Sequence, residues 1–179
     1  FSTLQERQTL ELDTVDLGAL VRETVDAFRQ SLSGQNFAFN VIQQGPSPSV
    51  RADPAALEQV LANLLDNAVK YSDTVREVTV RVGWSGAMAT VDVTDAGIGI
   101  SAADRPHIFE RFYRGSGEAG KRKGFGLGLA IASELMTAHR GRLELQSSTP
   151  QGGSTFRMSL PALFHPPGVP ARPTVEATT

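Results

Sequence analysis

Residues 77–94 read EVTVRVGWSGAMATVDVT, two runs that alternate apolar and polar residues at period two around Ser85-Gly86-Ala87. Such alternation gives each strand one buried and one wet face, and the short Gly-containing turn folds the second run back along the first. Arg142 to Ser147 and Ser154 to Leu160, around Pro150-Gln151-Gly152-Gly153, predict a second hairpin. Helical patterns precede and separate these hairpins. Leu17, Leu20, Val21, Val25, Phe28 and Leu32 form a helical stripe behind Asp16, a candidate N-cap, and the pattern stops at Ser33-Gly34. Asp53-Pro54, a capping carboxylate with Pro at the first helical position, opens a helix that runs to about Tyr71. Gly128 to His139 reads as a helix closed by Gly141, and Phe37 to Ile42 as a strand. Residues 95–124 read mostly as loop. Helices mixed with antiparallel hairpins predict an α+β two-layer sandwich rather than a doubly wound parallel sheet.

Boundaries follow from composition. Residues 14–161 hold the periodic segments and form the expected domain. Segment 1–13 reads as the end of a longer helix, and 162–179 is Pro-rich, without periodicity, and expected to be disordered. Phe1 in place of Met suggests a piece of a longer protein. A net charge of −2 gives no reason to expect nucleic acid or an anionic membrane as partner. No run approaches the ~20 apolar residues of a membrane span, and no signal-peptide core is present. With no cysteine, disulfides and thiolate metal sites are excluded.

Chemistry concentrates in four stretches. In NLLDNAVK, Asn63, Asn67 and Lys70 recur at i, i+4 and i+7, which sets three polar groups on one face of a helix otherwise rich in leucine. Asparagine is a poor mid-helix residue, so the pair asks for a reason: an amide oxygen suits Mg²⁺, and Lys70 suits a phosphate. The DAGIGI stretch, Asp95 to Ile100, follows a strand; Asp95, an acceptor-only group, suits an exocyclic amine such as that of adenine. In IFERFYRG, Phe109, Phe112 and Tyr113 are expected as core or lid anchors, and Arg114 with Lys121-Arg122-Lys123 forms either a solvated face or an anion-binding lid. GFGLGL, with Gly124, Gly126 and Gly128, fails the dinucleotide fingerprint because Leu129 replaces its third glycine, and it lacks the Gly-Lys-Ser/Thr of a P-loop. A glycine-rich turn that opens a helix and can hold phosphate remains.

The ordered set NLLDNAVKYS, DAGIGI, IFERFYRG, GFGLGL and GGSTF resembles the N, G1, F, G2 and G3 boxes of sensor histidine kinases, over about residues 16–161. It looks like their catalytic ATP-binding domain, in the superfamily shared with type II topoisomerase, heat-shock chaperone and mismatch-repair ATPases. The resemblance implies a mixed, mainly antiparallel sheet covered by three helices on one face. It implies ATP and Mg²⁺ as cofactors, with Asn67 as metal ligand and Asn63, Asn67 and Lys70 as the catalytic group. It further implies Asn63, Lys70 and Tyr71 lining the nucleotide site and Asp95 on the adenine amine. Gly97, Gly99 and Ile100 would form that wall, with Arg114, Lys121 and Arg122 in the lid. Gly124, Gly126, Leu127, Gly128 and Leu129 would lie by the phosphates, and either Ser154 or Thr155 would complete the adenine pocket.

Hydrolysing relatives carry a glutamate base one turn before the metal Asn; Asn63 stands there, which favours phosphoryl transfer over hydrolysis. The resemblance implies an acceptor histidine followed by an acidic residue on an upstream helix; none of His107, His139 and His165 fits that pattern, so the acceptor is expected outside this chain. The partners implied are a dimerisation domain that bears the acceptor and a response regulator. The whole would be a homodimer, membrane-bound in a bacterium with this domain in the cytoplasm. Competing readings are a serine protein kinase or ATPase of the same superfamily, and a nucleotide-binding module without catalysis.

Overall fold

In the computed structural model, residues 9–116, 118–121 and 123–164 are described. Arg122, His165 and the Pro-rich tail beyond it therefore lie outside the described residues, as does most of segment 1–13. Residues 9–12 carry no regular structure.

The chain runs β1 (Asp13–Asp16), α1 (Leu17–Ser31), β2 (Ala38–Gln43), β3 (Ser49–Ala52), α2 (Pro54–Tyr71), β4 (Glu77–Ser85) and β5 (Met88–Asp95). A 3₁₀ turn at Arg105–His107 and a one-turn helix α3 (Glu118–Lys121) precede α4 (Gly128–Ala138), β6 (Arg142–Thr149) and β7 (Gly153–Pro161). Both hairpins form, β4 with β5 and β6 with β7. They join in a five-stranded sheet of order β2-β4-β5-β7-β6, in which β2 alone runs parallel to its neighbour, β4. A parallel pair needs a crossover, which β3 and α2 supply. β1 and β3 form a separate antiparallel ribbon. The expected mixed, mainly antiparallel sheet with α1, α2 and α4 packed on it is present.

Register decides which side chains meet the helices. Val78, Val80 and Val82 of β4, Val91 and Val93 of β5, and Phe156, Met158 and Leu160 of β7 are buried. They meet Leu57, Leu61, Leu64 and Leu65 of α2 and Leu135 and Met136 of α4 in one core. The alternate positions carry Thr94–Thr155, hydrogen-bonded at 2.9 Å, and Asp92–Arg157, bidentate at 2.6 and 2.7 Å.

Capping follows the sequence reading at two helices. Asp16 accepts from the Ala19 N–H at 2.9 Å and Asp53 from the Ala56 N–H at 3.2 Å. Helix α4 ends differently from the expectation. Arg140, not Gly141, adopts the left-handed conformation (φ 58°), and the Gly141 N–H closes the turn on the Met136 carbonyl at 2.9 Å. No helix among the described residues is long and apolar enough to cross a membrane.

Candidate functional site: a two-part cleft between α2, α4 and the sheet end

Helix α2 buries Leu57, Leu61, Leu64, Leu65 and Ala68, which leaves the Asn63, Asn67 and Lys70 stripe on an adjacent face. That face borders two hollows. The first is lined by Asn67, Tyr71, Asp95, Gly99, Ile100 and Asp104, closed by Ile108, Tyr113, Leu129, Ser154 and Phe156. The second is lined by Asn63, Asp66, Asn67, Lys70, Lys123 and the glycine-rich segment from Gly124 to Leu129. Both share Asn67, Tyr71, Ile108, Tyr113 and Leu129, so they form one cleft with two chemically different ends.

The first end is largely apolar, with the Asp95 carboxylate buried in its wall. Asp95 is 7% exposed, and its Oδ1 accepts from the Gly97 N–H at 2.8 Å and the Ser154 N–H at 3.3 Å. Burial pushes its carboxyl above the usual carboxylate range, against the lowering effect of those two amides. Oδ1 holds both bonds, so Oδ2 is the oxygen that has capacity for a ligand donor. The Ile100 N–H donates to Ser148 Oγ at 2.7 Å, and Ser148 Oγ lies 3.0 Å from Ser154 Oγ, which fixes the loop after β5 against the second hairpin.

The second end brings Lys70 and Lys123, with Asp66, beside the glycine-rich segment. Lys70 lies with its Nζ 5.0 Å from the Tyr71 ring centroid. Gly124 adopts φ 149°, a conformation that residues with a side chain rarely take, and passes close to the Lys70 ammonium: a Cβ there would sit 2.6 Å from Nζ, the movable end of that side chain. At Gly126 (φ 68°) a Cβ would meet the Tyr113 carbonyl oxygen at 2.5 Å, and the Gly126 carbonyl accepts from the Phe112 N–H at 2.8 Å. Asn63 Nδ2 donates to the Gly128 carbonyl at 3.1 Å, bracing the start of α4 on α2.

The remaining expected site residues divide between the cleft and other places. Gly97 packs beneath the Tyr71 carbonyl rather than on the cleft wall. The register pairs Asp95 with Ser154 and Thr94 with Thr155, so Ser154 faces the cleft and Thr155 the opposite side of the sheet. Arg114 donates to the Gly120 carbonyl at 2.7 Å, and Arg114 and Lys121 line neither hollow. Phe109 packs edge-on against Phe156 at 6.2 Å, whereas Phe112, expected as a core or lid anchor, is 70% exposed at φ 64° and is not in the core.

Asp104 was absent from the expected set. Its buried carboxylate accepts from Tyr113 Oη (2.6 Å), Ser101 Oγ (2.7 Å), Ser116 N–H (3.1 Å) and Ser116 Oγ (3.0 Å). These donors, Tyr113 first, hold its pKa at about 2. The sequence signal was available: Ser101-x-x-Asp104 is a reciprocal capping pattern, and the Asp104 N–H returns to Ser101 Oγ at 3.1 Å.

The family model described as histidine kinase-, DNA gyrase B- and HSP90-like ATPase matches residues 52–163. The chain belongs to this family. Among curated relatives, the sensor-like histidine kinase SenX3 of Mycolicibacterium smegmatis is 35% identical over 163 residues, 89% of this chain and 42% of that protein. The signal transduction histidine-protein kinase/phosphatase MprB of a Mycobacterium species is 35% identical over 93% of this chain and 32% of that protein. The chain thus spans less than half the length of these relatives. Among solved structures, the mycobacterial sensor histidine kinase MprB superposes with a TM-score of 0.70 at 29% identity, covering 84% of this chain and 97% of that one. Full-length ShkA in complex with AMPPNP gives 0.73 at 28% identity, over 86% of this chain and 31% of that one.

Proposed function

We propose that this chain binds Mg·ATP and presents the γ-phosphoryl group to a histidine on a dimerisation domain outside the chain, for relay to a response-regulator aspartate. One observation carries the reading: Asn67 belongs to both ends of the cleft, with a buried acceptor in an apolar wall on one side and Lys70 with glycine amides on the other. The family membership and the AMPPNP complex of ShkA support a nucleotide there.

Each wall has a task in this reading. Asp95 accepts from the adenine amine, and Ile100, Ile108, Leu129 and Phe156 exclude water around the ring. Lys70 and the backbone amides from Gly124 to Gly128 hold the phosphates, with Lys123 at the same wall. The amide oxygen of Asn67, a neutral hard donor, fits a Mg²⁺ ligand. A Mg²⁺ ion held there by Asn67 would supply positive charge to offset that of the phosphates. Asn63 has no basic atom to deprotonate water, and its Nδ2 is engaged by Gly128, which favours transfer over hydrolysis.

The attacking group would be a neutral imidazole nitrogen. Its lone pair forms the N–P bond as the bond from the γ-phosphorus to the bridging oxygen breaks, ADP takes that electron pair, and the ring sheds its N–H proton to solvent. A nitrogen that already carries a lone pair needs positioning more than general base catalysis. The described histidines are poor acceptors: His139 is buried with both ring nitrogens bonded, and His107 Nδ1 pairs with Glu110 Oε1 at 2.8 Å. In this reading the chain is the cytoplasmic catalytic part of a homodimeric, membrane-bound bacterial sensor kinase.

The test is to mix the chain with Mg·ATP and a purified dimerisation domain that carries an acceptor histidine. Acid-labile, alkali-stable phosphate on that domain is expected. Nucleotide binding with no transfer to any histidine-bearing helical partner would leave a binding module without catalysis.

A further inference from the structure

His139 follows the last turn of α4, about 16 Å along the helix from the glycine-rich end that borders the cleft. It is 6% exposed, and both ring nitrogens are committed. Nδ1 lies 2.7 Å from the Leu135 carbonyl oxygen, and Nε2 accepts from the backbone N–H of Asp53 at 3.0 Å. A carbonyl only accepts and a backbone N–H only donates, so the ring must be neutral with its proton on Nδ1. The other tautomer, or the imidazolium, would set two N–H groups against each other at Nε2.

The Asp53 N–H is one of the donors that the start of α2 cannot satisfy within its own helix. Pro54 has no N–H, and Ala56 is served by the Asp53 carboxylate, which also accepts from the Glu11 N–H at 3.0 Å. His139 thus supplies an acceptor that α2 lacks. The polar ties between α2 and α4 have a plain geometry. Asn63 holds the first residue of α4, Gly128, and His139 at the other end of α4 holds the N-cap of α2. The helices run antiparallel, fastened near both ends of α4. The cationic end of the cleft is built from the α2 stripe on one side and the approach to α4 on the other. Any slide of α4 along α2 changes the distance between Lys70 or Asn67 and the glycine amides.

We propose that His139, as the Nδ1–H tautomer, is a positioning residue that fixes the register of α4 on α2 and so the spacing of the phosphate-facing end of the cleft. The proposal rests on the nucleotide reading above for its effect on affinity, but not for its effect on the helix register.

Side-chain isosteres separate the two bonds of the ring. His139→Gln places an amide oxygen near the Nε2 position and keeps an acceptor for Asp53. His139→Asn reaches only the Nδ1 position and keeps the bond within α4. Nitrogen-15 spectra of the wild-type ring are expected to show the proton on Nδ1, with the Asp53 amide slow to exchange. With a non-hydrolysable ATP analogue and Mg²⁺ in calorimetry, His139→Gln is expected to stay within about twofold of wild type. His139→Asn is expected to bind on the order of tenfold more weakly, as the fraction of chains in the competent register falls. The Asn63 side-chain and Gly128 amide resonances are expected to move in His139→Asn and hold in His139→Gln. A wild-type ring protonated on Nε2 overturns the proposal, as does a folded His139→Asn chain in which those resonances stay put. If the wild type fails to bind the analogue, the nucleotide reading falls, while the ring and resonance measurements still decide the register.

Discussion

The Tyr113 hydroxyl donates to Asp104 Oδ1 at 2.6 Å, joining the 3₁₀ turn after β5 to the chain that leads into the glycine-rich segment. Both residues line the apolar end of the cleft. The four donors favour the ionised carboxylate and depress its pKa to about 2. A folded-state pKa below the unfolded value gives stability that is present above about pH 4 and lost as pH falls toward 2. Asp104→Asn is therefore expected to cost on the order of 1–2 kcal/mol at neutral pH, with the difference from wild type shrinking across that window. Tyr113→Phe removes the largest lowering influence, so the acid transition should move to higher pH. Urea unfolding from pH 2 to 7 measures both, and a pH-independent gap between wild type and Asp104→Asn would refute the assignment.

On the sheet face away from the cleft, Arg157 grips Asp92 through two bonds of 2.6 and 2.7 Å, with the Asp92 side chain 11% exposed. Removing one partner of such a pair leaves the other charge poorly solvated. Arg157→Ala is expected to lower stability by about 2 kcal/mol. Nucleotide affinity, measured on the folded variant, should stay unchanged because the intervening sheet keeps the pair out of the cleft. A loss of affinity larger than the loss of folded protein would contradict that separation.

Much of this arrangement was legible because short-range signals agree with the tertiary fold. The α2 stripe is set by helical periodicity alone, and the Asp53-Pro54 start fixes its phase. Both hairpins announce themselves by alternation. What escaped notice depends on distant pairing. β1 and β3 are four residues each, too short for a visible period, and Val15 meets Val50 only in the folded chain. Alternation shows that neighbours Ser154 and Thr155 face opposite ways but not which faces the cleft; the Asp95–Ser154 pairing decides that. Residue type alone leaves Phe112 a core or a lid anchor; its positive φ and exposed ring place it outside the core. The lesson at Asp104 is different. Its Ser-x-x-Asp signal was present, but a capping pattern does not reveal that Tyr113 and Ser116 converge on the same carboxylate.

Asn67 is shared by both ends of the cleft, and its amide oxygen is the proposed metal ligand. Asn67→Ala should weaken binding of an ATP analogue in the presence of Mg²⁺ by ten- to a hundredfold, on the order of 1.4–2.8 kcal/mol. Without Mg²⁺ the variant and the wild type should differ little. Calorimetry in Mg²⁺ and in EDTA makes the comparison. An equal loss in both conditions would mean that Asn67 contacts the nucleotide directly rather than through the ion.

Asp95 sets stability and recognition against each other. Its carboxyl is pushed up by burial, so ionising it costs the folded state, and stability falls as pH rises from the unfolded value through the raised folded one. Asp95→Asn removes that charge while Oδ1 still accepts from Gly97 and Ser154. The nucleotide-free variant is therefore expected to melt a few degrees higher, consistent with about 1 kcal/mol in a domain of this size. The same change puts an amide N–H₂ where Oδ2 would accept from the adenine amine, so two donors face each other. Affinity for the ATP analogue should fall at least tenfold, and the preference for adenine over guanine nucleotides should narrow, because the 6-oxo group of guanine can accept from that amide. Melting curves without nucleotide and paired titrations with ATP and GTP analogues measure the two effects. A variant that melts lower and keeps the wild-type base preference would remove Asp95 from the base-recognising wall.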